Sequence, residues 1–139
     1  MFGFPTPTRK IGEVLANARR SLPALADVAM PPEGRLSFAT SIAEAVAGAD
    51  WVQESVPERL DIKHRVFAEI QAYARADAVI GSSTSGFKPS ELQQGAARPG
   101  QIFVCHPFNP VYLLPLIEVV GSDVADPAIR QTCVDTLEK

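Results

Sequence analysis

Apolar residues first recur at helical spacing at Ile11, Val14, Leu15, Ala18 and Leu22. They predict a helix over 10–21 that Pro23 closes, because proline lacks the N–H and its ring crowds the preceding turn. Beyond the turn-forming Met30-Pro31-Pro32-Glu33-Gly34, the alternation Leu36-Ser37-Phe38 predicts a short strand. Ser41-Ile42-Ala43-Glu44 has the spacing of a capping box, in which a hydroxyl and a carboxylate three residues apart satisfy free amides at a helix start. A short helix is expected there, ending near Gly48.

Trp51-Val52-Gln53-Glu54-Ser55-Val56 then reads as a strand, and Leu60, Ile62, Val66, Phe67, Ile70 and Tyr73 mark the apolar face of a long helix. Ala78-Val79-Ile80-Gly81 predicts a short buried strand before a Ser/Thr/Gly loop at 82–86. A short helix near 89–94, strands over 101–105 and 116–120, and a helix from Pro127 to Leu137 complete the pattern. Helices and strands alternate, which predicts an α/β fold built on a largely parallel sheet.

Composition narrows the partners. The 139 residues suit one domain or part of one, and 46% hydrophobic with 21% charged residues is the balance of a chain that packs a core. A formal charge of −3 gives no general attraction to nucleic acid or to anionic lipid, and no apolar run reaches membrane-spanning length. Cys105 and Cys133 form no Cys-x-x-Cys pair and read as buried small hydrophobes in a reducing, cytoplasmic setting; no metal site is suggested.

In an open α/β sheet, ligands bind beyond the carboxyl ends of the strands. There the sequence places Val56-Pro57-Glu58, Ser82-Ser83-Thr84-Ser85-Gly86 and His106-Pro107-Phe108-Asn109-Pro110. His106 stands before a stretch stiffened by two prolines, a position that suits a general base and equally suits a hydrogen-bonding loop residue. Glu118, twelve residues on in an otherwise apolar strand, needs a partner if buried. An imidazole N–H would serve, and so would a lysine, an arginine or solvent. Ser85 by itself reads as a turn residue, and His64 falls on the polar side of its helix, where solvation is expected.

Taken together these segments are more specific. Cys105 to Val120, with His106-Pro107-Phe108-Asn109-Pro110 and Ile117-Glu118-Val119, resembles the His-x-Phe-Asn-Pro…(Val/Ile)-Glu-Val signature of the 3-hydroxyacyl-CoA dehydrogenase family. The resemblance implies that His106 is the catalytic base, Glu118 the carboxylate that holds it, and Ser85, twenty-one residues earlier, the hydroxyl that binds the substrate oxygen. It places Glu58 and Lys63, five apart, beside an NAD cofactor, with Asn109 on the nicotinamide pocket. The implied reaction is hydride transfer between the cofactor and a 3-hydroxyl carbon. Tyr112-Leu113-Leu114-Pro115-Leu116 and Ala49-Asp50-Trp51 look more like the carnitine-oxidising branch than the acyl-CoA enzymes. Carnitine is thus the expected substrate, a short 3-hydroxyacyl-CoA the alternative, and Phe108 and Tyr112 are candidate walls for a quaternary ammonium, or simply core.

The chain departs from the family's pattern in one respect. No two of its nine glycines are separated by a single residue, so the Gly-x-Gly-x-x-Gly turn that cradles the pyrophosphate is not written here. Residues 1–139 are therefore expected to form a partial, Rossmann-like, doubly wound NAD-binding domain. It would lack the first βαβ unit, leaving a gap in the sheet beside the strand at 36–38, and the C-terminal helical domain through which the family forms homodimers. An inactive remnant is the competing expectation.

Overall fold

The computed structural model describes residues 7–25, 32–111 and 114–138. The chain forms two compact units, Met1–Phe38 with Asn109–Pro115 and Ala39–Phe108 with Leu116–Lys139.

The first unit is built on helix α1, Pro7–Leu25. The helix runs through Pro23 instead of ending before it. Leu15, Ala18 and Leu22 are half-buried, whereas Ile11 and Val14 are exposed. Arg19 grips Glu33 with two hydrogen bonds of 2.7 Å, and a groove between α1 and residues 33–36 is lined by Ile11, Leu15, Leu22 and Leu36. The strand expected at 36–38 does not form: the segment is unpaired, with Leu36 and Phe38 exposed. A strand exists by its ladder, and no neighbouring strand is present among the described residues of this unit.

The second unit carries the sheet. Helix α2 (Ile42–Val46) begins at Ser41, whose Oγ accepts from the Glu44 amide at 3.1 Å. The return half of the box is displaced by one residue, since the Glu44 carboxylate accepts from the amide and hydroxyl of Thr40. Strand β1 (Trp51–Glu54), helix α3 (Leu60–Tyr73), strand β2 (Val79–Ser82), helix α4 (Pro89–Leu92), strands β3 (Ile102–Pro107) and β4 (Ile117–Val120), and helix α5 (Pro127–Leu137) follow. Among the described residues the sheet has the order β1-β2-β3-β4, with β1 at one edge and β4 at the other. The first three strands are parallel, and β4 returns antiparallel to β3.

Period-two alternation sorts the side chains onto two faces. Ile80, Ile102 and Val104 pack with Phe67, Ile70, Leu92 and Val46 under α2, α3 and α4. Val79, Phe103 and Cys105 pack with Ile129 and Cys133 of α5, where the two thiols lie 3.9 Å apart as free cysteines. The neighbouring thiol and burial push Cys105 up, so it stays protonated and unreactive. His64 is not solvated as expected. It is half-buried, and its Nε2 lies 2.7 Å from the Glu91 carbonyl, tying α3 to α4. No helix among the described residues is long and apolar enough to cross a membrane.

Candidate active site

The parallel strands end together, with Glu54, Ser82 and Val104 in register across β1, β2 and β3. β3 continues past its neighbours to Pro107 because β4 pairs with it there, so His106 lies in the ladder and not in the following loop. Its partner in that ladder is Glu118. Residues directly opposed on antiparallel strands point to the same face with their Cβ atoms close together. The register thus brings Nδ1 of His106 to 3.1 Å from Oε2 of Glu118. An acceptor carboxylate on Nδ1 fixes the tautomer that carries its proton there, leaving the Nε2 lone pair free. Nε2 makes no hydrogen bond among the described residues, and the Phe108 ring is tilted against the imidazole at a centroid distance of 5.7 Å.

Of the alternatives its sequence left open, Glu118 takes both an imidazole partner and solvent: its side chain is 57% exposed, against 28% for His106. β4 is the last strand of the sheet, and Val119 is its member packed against the α5 face, while Ile117 and Val120 are exposed. The pair is thus reachable from solvent.

Beyond the end of β1, two strands from β3, Glu58 and Lys63 meet at 3.2 Å. Lys63 lies on the buried stripe of α3 with Phe67 and Ile70, and its side chain is 1% exposed. Burial of an ammonium requires partners for its protons. Both Glu54 oxygens accept from Nζ, at 3.0 and 3.1 Å, the Val56 carbonyl lies at 3.5 Å, and Glu58 joins as an ion pair. Glu54, equally buried, also accepts from the Val56 amide at 2.6 Å and from the Ser82 hydroxyl at 2.5 Å. Glu58 accepts from the Thr84 hydroxyl and from the Gly86 amide, the latter at 3.2 Å. Burial pushes the Glu58 carboxyl up, but the hydrogen bonds from Thr84, Lys63 and Gly86, with the charge of Lys63, outweigh it and hold the group below the ordinary range.

Ser85 is exposed between Thr84 and Gly86, and its hydroxyl makes no hydrogen bond among the described residues. Asn109 is exposed and belongs to the first unit, as does the following Pro110; Tyr112 lies outside the described residues. Sequence reasoning passed over Glu54, Ser82 and Thr84. The signal was present in α3, where Lys63 shares the spacing of Phe67 and Ile70 and therefore demands buried acceptors. No group of three or more His, Cys, Asp or Glu among the described residues is arranged to hold a metal ion.

Comparison with known proteins places this geometry. Residues 8–139 match the model of the 3-hydroxyacyl-CoA dehydrogenase NAD binding domain. The chain is 66% identical over 123 residues to a protein of Ruegeria pomeroyi named L-carnitine dehydrogenase/betainyl-CoA thioesterase, covering 88% of this chain and 25% of that protein. It is 56% identical over 124 residues to the L-carnitine dehydrogenase of Mesorhizobium japonicum, with 88% and 34% covered. The chain thus spans about a quarter to a third of the length of these relatives. Among solved structures, 5-formyl-3-hydroxy-2-methylpyridine 4-carboxylic acid 5-dehydrogenase, an NAD+ dependent dismutase, superposes with a TM-score of 0.85 at 31% identity over 97% of this chain and 44% of that one. A 3-hydroxybutyryl-CoA dehydrogenase from Escherichia coli shares the fold at a TM-score of 0.73. The Rossmann-like, mostly parallel sheet and the match across nearly its whole length show that the chain belongs to the 3-hydroxyacyl-CoA dehydrogenase family, within its NAD binding domain.

Proposed function

We propose that the protein carrying this chain oxidises the 3-hydroxyl of L-carnitine to 3-dehydrocarnitine with NAD, and that His106 is the base. The observation that carries the reading is the cross-strand pair, with Nδ1 of His106 on Glu118 and Nε2 left open. In the oxidation direction Nε2 takes the hydroxyl proton, and Glu118 stabilises the imidazolium that results. Ser85, with an unengaged hydroxyl, donates to the substrate oxygen as its carbonyl character develops. The names of the most similar relatives support carnitine as the substrate.

The strand ends fit the nicotinamide end of NAD in one respect: the partly exposed Glu58 carboxylate is an acceptor for a carboxamide N–H. NAD bound there supplies the hydride acceptor. Lys63, enclosed by Glu54 and Glu58, serves that site by holding Glu58 and not by touching the cofactor. Asn109 keeps its place on the nicotinamide pocket on the strength of the motif alone. The pyrophosphate cradle is absent from the sequence of this chain, so we assign it to a further segment that completes the NAD-binding domain, with a helical domain through which the protein forms homodimers. A small-molecule substrate and a cytoplasmic setting complete the reading; nucleic acid and membrane are not partners in it.

The test is NADH formation by the full-length protein. L-carnitine should be turned over and a short 3-hydroxyacyl-CoA should not, and His106→Asn should abolish turnover while leaving NAD binding in place. Turnover of the acyl-CoA alone would move the protein to the other branch of the family, and turnover of neither would leave it an inactive remnant.

A further inference from the structure

No step of the proposed reaction uses Glu54, yet it is the one buried carboxylate among the described residues. A carboxylate is retained in such a place only with full hydrogen bonding, and Glu54 has it, from Lys63, Ser82 and the Val56 amide. The consequences run outward. Glu54 holds the Lys63 ammonium through both of its oxygens and so keeps it in ion-pair contact with Oε2 of Glu58 at 3.2 Å. With one oxygen pinned, the partly exposed Glu58 side chain loses its freedom to swing, and its other oxygen receives Thr84 Oγ1 and the Gly86 amide. Those two residues flank Ser85. The Thr84 hydroxyl in turn accepts from the Gly86 amide at 3.3 Å and the Phe87 amide at 3.1 Å, so both strands of this tight loop are gathered on one carboxylate.

We propose that Glu54 is a positioning residue for Ser85, acting through Lys63 and Glu58 on the Thr84–Gly86 loop. Ser85 makes no hydrogen bond of its own among the described residues, so its hydroxyl is placed by the backbone on either side of it, and that backbone is held by a chain of contacts anchored inside the sheet. The kinetic consequence rests on the proposed role of Ser85 in the reaction; the structural consequence does not.

Amide hydrogen exchange on the chain tests the structural part, with Glu54→Gln as the distant variant and Thr84→Val as the direct one. Both should speed exchange of the Gly86 and Phe87 amides by about tenfold or more while the amides of β2 and β3 keep their protection, because local opening is separable from global unfolding. Gly86 and Phe87 unchanged in Glu54→Gln, or accelerated only in step with β3, would overturn the proposal. Should Glu54→Gln fail to fold, Ser82→Ala takes its place, since it removes one of the bonds that fix Glu54 and leaves the contacts of Glu58 with the loop intact, so the same two amides should again exchange faster. In the full-length protein kcat should fall on the order of tenfold to a hundredfold in Glu54→Gln, beyond any rise in KM for NAD that a loosened Glu58 brings, as expected when a substrate-binding group is misplaced by less than about 1 Å. Loop amides released with kcat unchanged would keep the positioning role and remove Ser85 from the reaction. A KM for NAD that rises with kcat unaltered and the loop amides still protected would instead assign Glu54 to the cofactor and overturn it.

Discussion

The side chain of Gln53 reaches across β2 to the backbone of Cys105, where its Nε2 donates to the carbonyl at 2.8 Å. The same amide donates to Ser83 Oγ at 2.8 Å, and its Oε1 accepts from Trp51. Gln53 thereby fixes the residue that precedes His106. What permits the crossing is Gly81, the register partner of Gln53 on β2: a Cβ placed there would come within 2.6 Å of Gln53 Oε1 and 2.9 Å of Cys105 Cβ. Gly81→Ala must displace both the amide and the β3 backbone, and overpacking of this kind costs about 1–3 kcal/mol. Urea denaturation should show that loss. Gln53→Ala in the same background should make the added methyl cheaper to accommodate, because the nearest obstruction is then gone.

Lys63 is predicted to be the most sensitive charged position. Lys63→Ala leaves the buried Glu54 without its counter-ion, and breaking a buried pair from one side costs about 3–5 kcal/mol. Replacing both ends, as in Lys63→Met with Glu54→Leu, removes the stranded charge along with the pair and should recover much of the stability, less what the Ser82 hydroxyl and Val56 amide lose as donors. Equal loss in the single and double variants, read from chemical denaturation, would show that the ion pair is not what holds α3 to β1.

Glu58 gives a pH dependence with a definite sign. Its carboxyl lies below the ordinary range in the fold, so the folded state binds its proton less readily than the unfolded chain does. The contribution is present in full above the ordinary glutamate value of about 4.3 and is lost as pH falls through the lower folded value. Glu58→Gln should therefore be less stable than the parent at neutral pH and converge on it in acid. A stability difference that stays constant down to pH ~3 would mean that the carboxylate charge contributes nothing.

The sequence made most of the second unit legible because periodicity and burial agree there. The helix expected from Leu60 to Tyr73 and the helix from Pro127 to Leu137 form over those residues, and the His106–Glu118 pair follows from strands at 101–105 and 116–120 once they are laid antiparallel. The misses have physical reasons. Leu36-Ser37-Phe38 alternates like a strand, but alternation supplies a face and not a ladder partner. Whether Glu118 is buried or faces solvent is left open by its apolar neighbours, because edge position decides exposure and edges are a property of the sheet. Glu54 and Thr84 escaped notice because a single carboxylate in a strand and a threonine in a turn look ordinary until α3 is seen to present Lys63 to them.

Glu118→Gln separates the charge of the pair from its geometry. Glutamine keeps an oxygen for Nδ1–H, so the tautomer of His106 and the open Nε2 persist, but the negative charge that would stabilise the imidazolium is gone. Because the pair is substantially exposed, the change should alter folding stability by less than about 1 kcal/mol. Catalysis should respond differently: in the full-length protein kcat should fall on the order of a hundredfold, within the range that general-base assistance contributes. KM for NAD should remain where it was, since Glu118 touches His106 and not the strand ends that bear Glu58. A kcat close to that of the parent would show that His106 is held well enough by the β3 ladder alone, and that the carboxylate across from it is a surface pairing without a part in proton transfer.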